Sequence, residues 1–243
     1  MDSASKRTNE EHAVWIPAGA VTLEGDLGVP EGARGIVLFA HGSGSSRRSP
    51  RNRYVARVLR QGRLATLLFD LLTTEEEVMD MRTGHLRFNI GLLANRLVAV
   101  TDWVTMNPET QHLKVGYFGA STGAAASLVA AADRQSVVSA VVSRGGRPDL
   151  AGPALPQVHA PTLLIVGGAD RPVITMNQEA LARLRVEKRL VIVPGATHLF
   201  EEPGALESVA RLALQWFDHH LTHVEEPAPQ LTQPNDWEYH PLY

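Results

Sequence analysis

Short apolar runs ending in glycine or aspartate, separated by stretches with helical spacing, constrain this chain more than any other feature. Residues 35–42 read GIVLFAHG and residues 64–70 read LATLLFD, and 115–119, 140–143, 162–168 and 189–194 repeat the theme. Runs this short and this apolar suit parallel strands covered on both faces. Between them lie helical patterns at 51–61, 122–132, 178–185 and 207–220. A longer one at 88–106 places Ile90, Leu93, Leu97, Val100 and Val104 on one face. Strand alternating with helix predicts one doubly wound, mostly parallel α/β domain over residues 13–223. Residues 13–17 and 20–29 predict two leading strands, the second with the alternation of a half-buried antiparallel edge strand. Residues 1–12 are polar and predict a flexible N-terminus. Residues 224–243 form a proline-rich C-terminal tail that cannot be a regular helix. Its Trp237, Tyr239 and Tyr243 are suited to docking on the domain or on a partner subunit; a loosely held extension is the alternative. The charged segment 73–87 interrupts the alternation.

Composition removes several function classes. A chain of 243 residues that is 44% hydrophobic can bury a sizeable core. A net charge of -3 offers no broad basic field, so no nucleic acid partner is expected. The cluster between Arg47 and Arg53 reads as a solvated loop and helix start. With no cysteine there is no disulfide, no thiolate metal site and no Cys nucleophile. The N-terminus lacks the apolar stretch of a secretory signal, and no run approaches the ~18 apolar residues that span a bilayer. A cytoplasmic protein with no membrane partner is the expectation. Neither nucleotide-binding glycine motif occurs in its required context. His219 and His220 are adjacent, so they leave a helix about 100° apart; with His223 they read as a solvated helix end. No metal and no cofactor are expected.

Residues 119–123, GASTG, are the decisive motif. A strand pattern precedes Ser121 and a helix pattern follows it. That is the setting of a nucleophile elbow, in which glycines flank the serine where strand and helix approach too closely for a Cβ. A serine hydroxyl is a poor nucleophile at neutral pH. It needs a base within hydrogen-bond reach and an acid to orient that base. Asp170 lies just after the apolar run 162–168, and His198 just after 189–194, in the order serine, acid, histidine. The tetrahedral oxyanion needs two donors. One is the Thr122 N–H; the other belongs to the loop after an early strand, HGSGSS at 41–46. The Ser43 N–H is the predicted second donor, with Gly44 as the fallback, and His41 is predicted to brace the loop. Arg144 and Arg147, in SRGGR at 143–147, are candidates for binding a substrate carboxylate or phosphate; Arg82, His85 and Arg87 could add to them. The alternative is ion pairing to Asp149 or to Glu75–Glu77.

On His41–Gly44, Gly119–Gly123, Gly168–Asp170 and Gly195–His198 the chain resembles the α/β-hydrolase superfamily, and within it the small dienelactone-hydrolase-like proteins. The resemblance covers residues 13–221. It implies an eight-stranded, mostly parallel sheet flanked by helices, with the second strand antiparallel. Dienelactone hydrolases use a cysteine where this chain has Ser121, so that named activity is not implied. Relatives with a cap domain carry it after the sixth strand; here only residues 144–160 intervene, which implies no cap and an open site, partly roofed by 73–87. The function implied is a serine hydrolase acting on small carboxylic esters, lactones or thioesters through an acyl-enzyme, without a cofactor. An acyltransferase on the same triad, a non-catalytic binding protein and a scaffold acting through its aromatic tail remain as alternatives. A homodimer through the long helix, the terminal helix or the tail is an open arrangement.

Overall fold

A computed structural model describes residues 11–222 of the chain. The flexible segment expected at 1–12, all but its last two residues, and the tail expected at 224–243 lie outside the described residues. Eight strands form one sheet: β1 (His12–Ala18), β2 (Val21–Gly28), β3 (Gly35–Ala40), β4 (Ala65–Phe69), β5 (Lys114–Ala120), β6 (Val138–Arg144), β7 (Thr162–Gly167) and β8 (Lys188–Val193). Their spatial order is β1-β2-β4-β3-β5-β6-β7-β8. β2 runs antiparallel to both neighbours, and every pairing from β4 to β8 is parallel. The order reverses at β3, which lies between β4 and β5, so the helices fall on both faces. They are α1 (Pro50–Gln61), α2 (Thr74–Thr83), α3 (Ile90–Met106), α4 (Thr122–Asp133), α5 (Arg171–Arg183) and α6 (Ala205–Thr222).

Alternation along each strand sends side chains into two cores. Ile36 and Leu38 face α3 and α4, with Leu97, Val100 and Leu128. Val37 and Phe39 face α1 and α6, with Val55, Leu59, Val209 and Phe217. α4 is buried nearly all round because it lies between the sheet, α3 and a 3₁₀ stretch at Pro148–Gln157. That explains its run of alanines: a helix enclosed on every side has no use for a polar face.

The structure corrects four local readings. β2 is not an edge strand; β1 pairs along its whole length and takes the edge. β8, read as buried on both faces, is the opposite edge and is largely exposed. The Arg47–Arg53 cluster does start a helix and exposes Arg48 and Arg53, but three of its arginines are ion-paired rather than simply solvated. The Arg47 guanidinium reaches Asp70 and Glu24, while Arg53 reaches Glu11, and Arg51 reaches Glu201 at 3.0 Å. His220 is not solvated either: its ring lies edge-on to Trp216, 4.5 Å between centroids, and 3.7 Å from the Glu187 carboxylate.

Segment 73–87 contains a helix, α2. Thr73 caps it in a reciprocal capping box with Glu76, and Gly84 closes it in the left-handed conformation. The connection 144–160 holds the 3₁₀ stretch and no cap domain. Among the described residues no helix is long and apolar enough to cross a membrane.

Candidate active site

Ser121 stands between β5 and α4 at φ 50, ψ -119, a region that non-glycine residues rarely occupy. Both flanking glycines are required by contact. A Cβ on Gly119 would lie 2.4 Å from the Ala124 Cα, and one on Gly123 would lie 2.2 Å from the Ala40 carbonyl oxygen. The strained residue is held from three sides. Its N–H donates to the Arg144 carbonyl at 3.3 Å, and its carbonyl accepts from the Arg147 and Ala124 N–H groups, each at 3.1 Å. The loop after β6 therefore clamps the elbow.

Asp170 ends the loop after β7 and is the N-cap position of α5, though its side chain does not cap the helix. That carboxylate is directed elsewhere: its Oδ2 lies 2.7 Å from His198 Nδ1. The two loops are registered by the Ala169 N–H, which donates to the Ala196 carbonyl at 2.9 Å. Asp170 is mostly enclosed, whereas the His198 side chain is 40% exposed, and among the described residues its Nε2 makes no hydrogen bond. A Cβ on Gly145 would lie 3.5 Å from His198 Nδ1, and one on Gly42 would lie 2.9 Å from the Ser121 Cβ. The structure bonds His198 to Asp170 and sets Ser121 at the same carboxyl edge of the sheet, with no hydrogen bond between Ser121 and His198 among the described residues. A neutral imidazole whose Nδ1–H is held by a carboxylate presents a basic Nε2, and such a pair can accept a proton from a hydroxyl.

The glycine-rich loop after β3 is braced from inside. His41 is buried, with Nδ1 donating to the Gly42 carbonyl at 3.0 Å and Nε2 accepting from the Leu71 N–H at 3.0 Å. Burial holds its imidazole below the usual range, so both bonds belong to the neutral ring. The far end of the loop is pinned by the Arg47 N–H, which donates to Asp70 at 2.7 Å. The Ser43 N–H is not free: it donates to Thr122 Oγ1 at 2.9 Å. Gly44 adopts φ 70, which turns the loop back.

The two arginines part company. Arg147 is forked onto Asp149 at 2.9 and 2.8 Å, the ion-pairing alternative, so its guanidinium is already engaged. Arg144 is buried with its guanidinium over the Phe200 ring, 5.9 Å to the centroid. No carboxylate or other hydrogen-bond acceptor pairs with it among the described residues. Burial, with the Arg51 charge nearby, pushes its pKa down to about 10. Arg87 bonds Asp80 at 2.5 Å, while Arg82 and His85 are exposed.

A pocket of about 370 Å³ opens beside the elbow, between the loop Gly42–Ser46 and α2. Thr122 is the elbow residue in its wall, and Glu77, Val78 and Met81 of α2 form its roof. Burial, then the Asp70 charge, raises the Glu77 carboxyl above its usual range. The expected partial roof from 73–87 is therefore present, although the residue pattern did not mark which of its side chains would form it. The T-x-x-E spacing of Thr73 and Glu76 was the signal for their helix.

The profile of the dienelactone hydrolase family matches residues 25–221. The chain belongs to the dienelactone hydrolase family. A dienelactone hydrolase of known structure from Anabaena variabilis is 69% identical, covers 88% of this chain and 99% of its own, and superposes with a TM-score of 0.87. An α/β serine hydrolase without lid from Xanthomonas campestris, 21% identical, shares the fold at a TM-score of 0.69 over 88% of this chain and 97% of its own. A Mycobacterium tuberculosis protein with the provisional name phosphoribosyl transferase is 59% identical over 221 residues, 91% of this chain and 49% of that protein. The chain therefore spans about half the length of that relative. Membership supports hydrolase activity on a capless α/β-hydrolase fold.

Proposed function

We propose that this chain hydrolyses small carboxylic esters through an acyl-enzyme on Ser121. The observation that carries the reading is the strained Ser121 at the β5–α4 turn, on the same sheet edge as a His198–Asp170 pair bonded at 2.7 Å. His198 Nε2 takes the Ser121 proton as Oγ attacks the ester carbonyl, and Asp170 stabilises the imidazolium. The carbonyl π electrons move onto oxygen, which the elbow donors hold. The oxyanion then collapses, the C–O bond breaks, and His198 returns the proton to the departing alcohol. Water, deprotonated by His198, repeats the attack and releases the acid and Ser121.

The missing cap and the modest pocket together favour short acyl groups. The unpaired Arg144 cation favours a substrate with an anionic group near the ester; Arg147, engaged with Asp149, is not part of that proposal. The transferase name of the Mycobacterium relative belongs to a protein about twice as long, of which this chain covers 49%. The hydrolase reading is therefore the one tied to this chain's own residues.

The deciding experiment follows hydrolysis of p-nitrophenyl acetate, butyrate and octanoate by the wild type and by Ser121→Ala. Turnover that falls with acyl length and disappears in the variant supports the proposal. Hydrolysis that survives in Ser121→Ala, or a wild type that neither turns over nor labels with a fluorophosphonate, overturns it.

A further inference from the structure

The Thr122 side chain occupies an unusual position, and the role assigned to it here rests on Ser121 being the nucleophile. Its hydroxyl oxygen accepts the Ser43 N–H at 2.9 Å, the group expected to face the oxyanion. One N–H cannot point fully at two acceptors. Either the Thr122 hydroxyl blocks the second donor, or it replaces it.

Three observations favour replacement. Thr122 lines the pocket with Gly42–Ser46 and is only 2% exposed, so bulk water does not compete for its hydroxyl. Its proton has no acceptor among the described residues. Other helical hydroxyls here donate theirs to the carbonyl four residues back, as Ser127 does to Gly123 at 2.8 Å and Thr101 does to Leu97 at 2.7 Å. Thr122 is the first residue of α4 and has no such helical carbonyl behind it. For the same reason its own N–H is one of the unpaired donors of the helix start, at the positive end of the helix dipole. An O–H that already accepts one hydrogen bond is a stronger donor through its own proton.

We propose that Thr122 supplies both direct donors to the oxyanion, its N–H and its Oγ–H, and that the Ser43 N–H acts one step behind by polarising Oγ1. The Thr122 hydroxyl would then be a catalytic residue, and the glycine-rich loop would position it rather than touch the substrate oxygen.

The two arrangements give opposite results in Thr122→Val, which keeps the shape and removes the hydroxyl. Under the proposal, kcat for p-nitrophenyl butyrate falls on the order of 100-fold with KM little changed, the loss seen when one oxyanion donor is removed. Thr122→Ser restores most of it. Inhibition by an aryl trifluoromethyl ketone, which places a Ser121 hemiketal oxyanion in the same site, weakens in Thr122→Val by a similar factor. If the Ser43 N–H is the direct donor, Thr122→Val frees it, and kcat holds or rises; that result overturns the proposal. Thr122→Ser as poor as Thr122→Val, or a kcat loss with unchanged ketone inhibition, also overturns it, because the effect is then one of packing. Thermal melting of each variant shows that the protein assayed is folded. A wild type inert to esters and to the ketone defeats the esterase reading itself, a different outcome from any of these.

Discussion

At φ 50, ψ -119 Ser121 stores strain on the order of 1–3 kcal/mol. The surroundings sustain it: three backbone hydrogen bonds fix its peptide groups, and two glycines let α4 press against β3 and β5. Strain held in this way is what a serine needs to stand clear of the sheet edge. Arg144 poses a second problem at this scale. A buried guanidinium with no acid beside it is destabilising, and an anion brought by the substrate would relieve it. Arg144→Gln is expected to raise KM about 10-fold or more for a p-nitrophenyl ester carrying a free carboxylate, and to leave the neutral butyrate ester within about 2-fold, the scale of one charge-assisted hydrogen bond. Steady-state kinetics on the pair of esters checks this; equal effects on both would remove the anion-binding role.

Among the elements, α2 differs from the rest. Helices α3 and α4 bury continuous apolar faces, whereas α2 exposes Val78, Met79 and Met81 and buries only Asp80. Its anchors are polar: the capping box, the Glu76–Arg96 bond at 2.7 Å and the Asp80–Arg87 bond. Local opening free energy follows buried apolar contact, so α2 is expected to open before the sheet does. Thr73→Ala removes the cap and costs α2 about 1 kcal/mol. Hydrogen exchange at 74–83 should accelerate about 5-fold, the same energy expressed as a ratio, with exchange in β5 and α4 unchanged. A matching acceleration in β5 would mean that α2 opens only with the whole domain.

For the whole molecule, the sheet carries its two cores on opposite faces, and the site lies where the chain reverses direction across it. α6 closes the second core. Phe217 is fully buried there, and a Cβ on Gly116 of β5 would stand 2.8 Å from its ring. The strand that leads into the elbow is thus packed, through a glycine, on an aromatic ring from the far end of the domain. Phe217→Ala is expected to cost about 3–5 kcal/mol, the range for removing a buried aromatic side chain. Thermal or urea unfolding of the variant measures it. A loss below about 1 kcal/mol would show that α6 can repack without that ring.

The chain's local chemistry already carried the fold class and the elbow. Apolar runs of strand length suit buried parallel strands, and Gly119-Ala-Ser-Thr-Gly123 supplies the two missing Cβ atoms that the tight turn requires. Asp170 and His198 were legible because each follows such a run directly. The edges were not: the alternation of 20–29 looks the same beside one neighbour as beside two, and which strand lies outermost depends on pairings between residues far apart. Segment 73–87 looked like a charged excursion because α2 has almost no apolar stripe; its capping box was the one local mark of a helix. Arg144 and Arg147 occur in one short stretch, yet only the tertiary structure separates them, turning one toward Asp149 and burying the other over Phe200. The engagement of the Ser43 N–H by Thr122 lay wholly beyond the sequence, because it joins residues 79 positions apart whose meeting depends on β3 and β5 lying side by side.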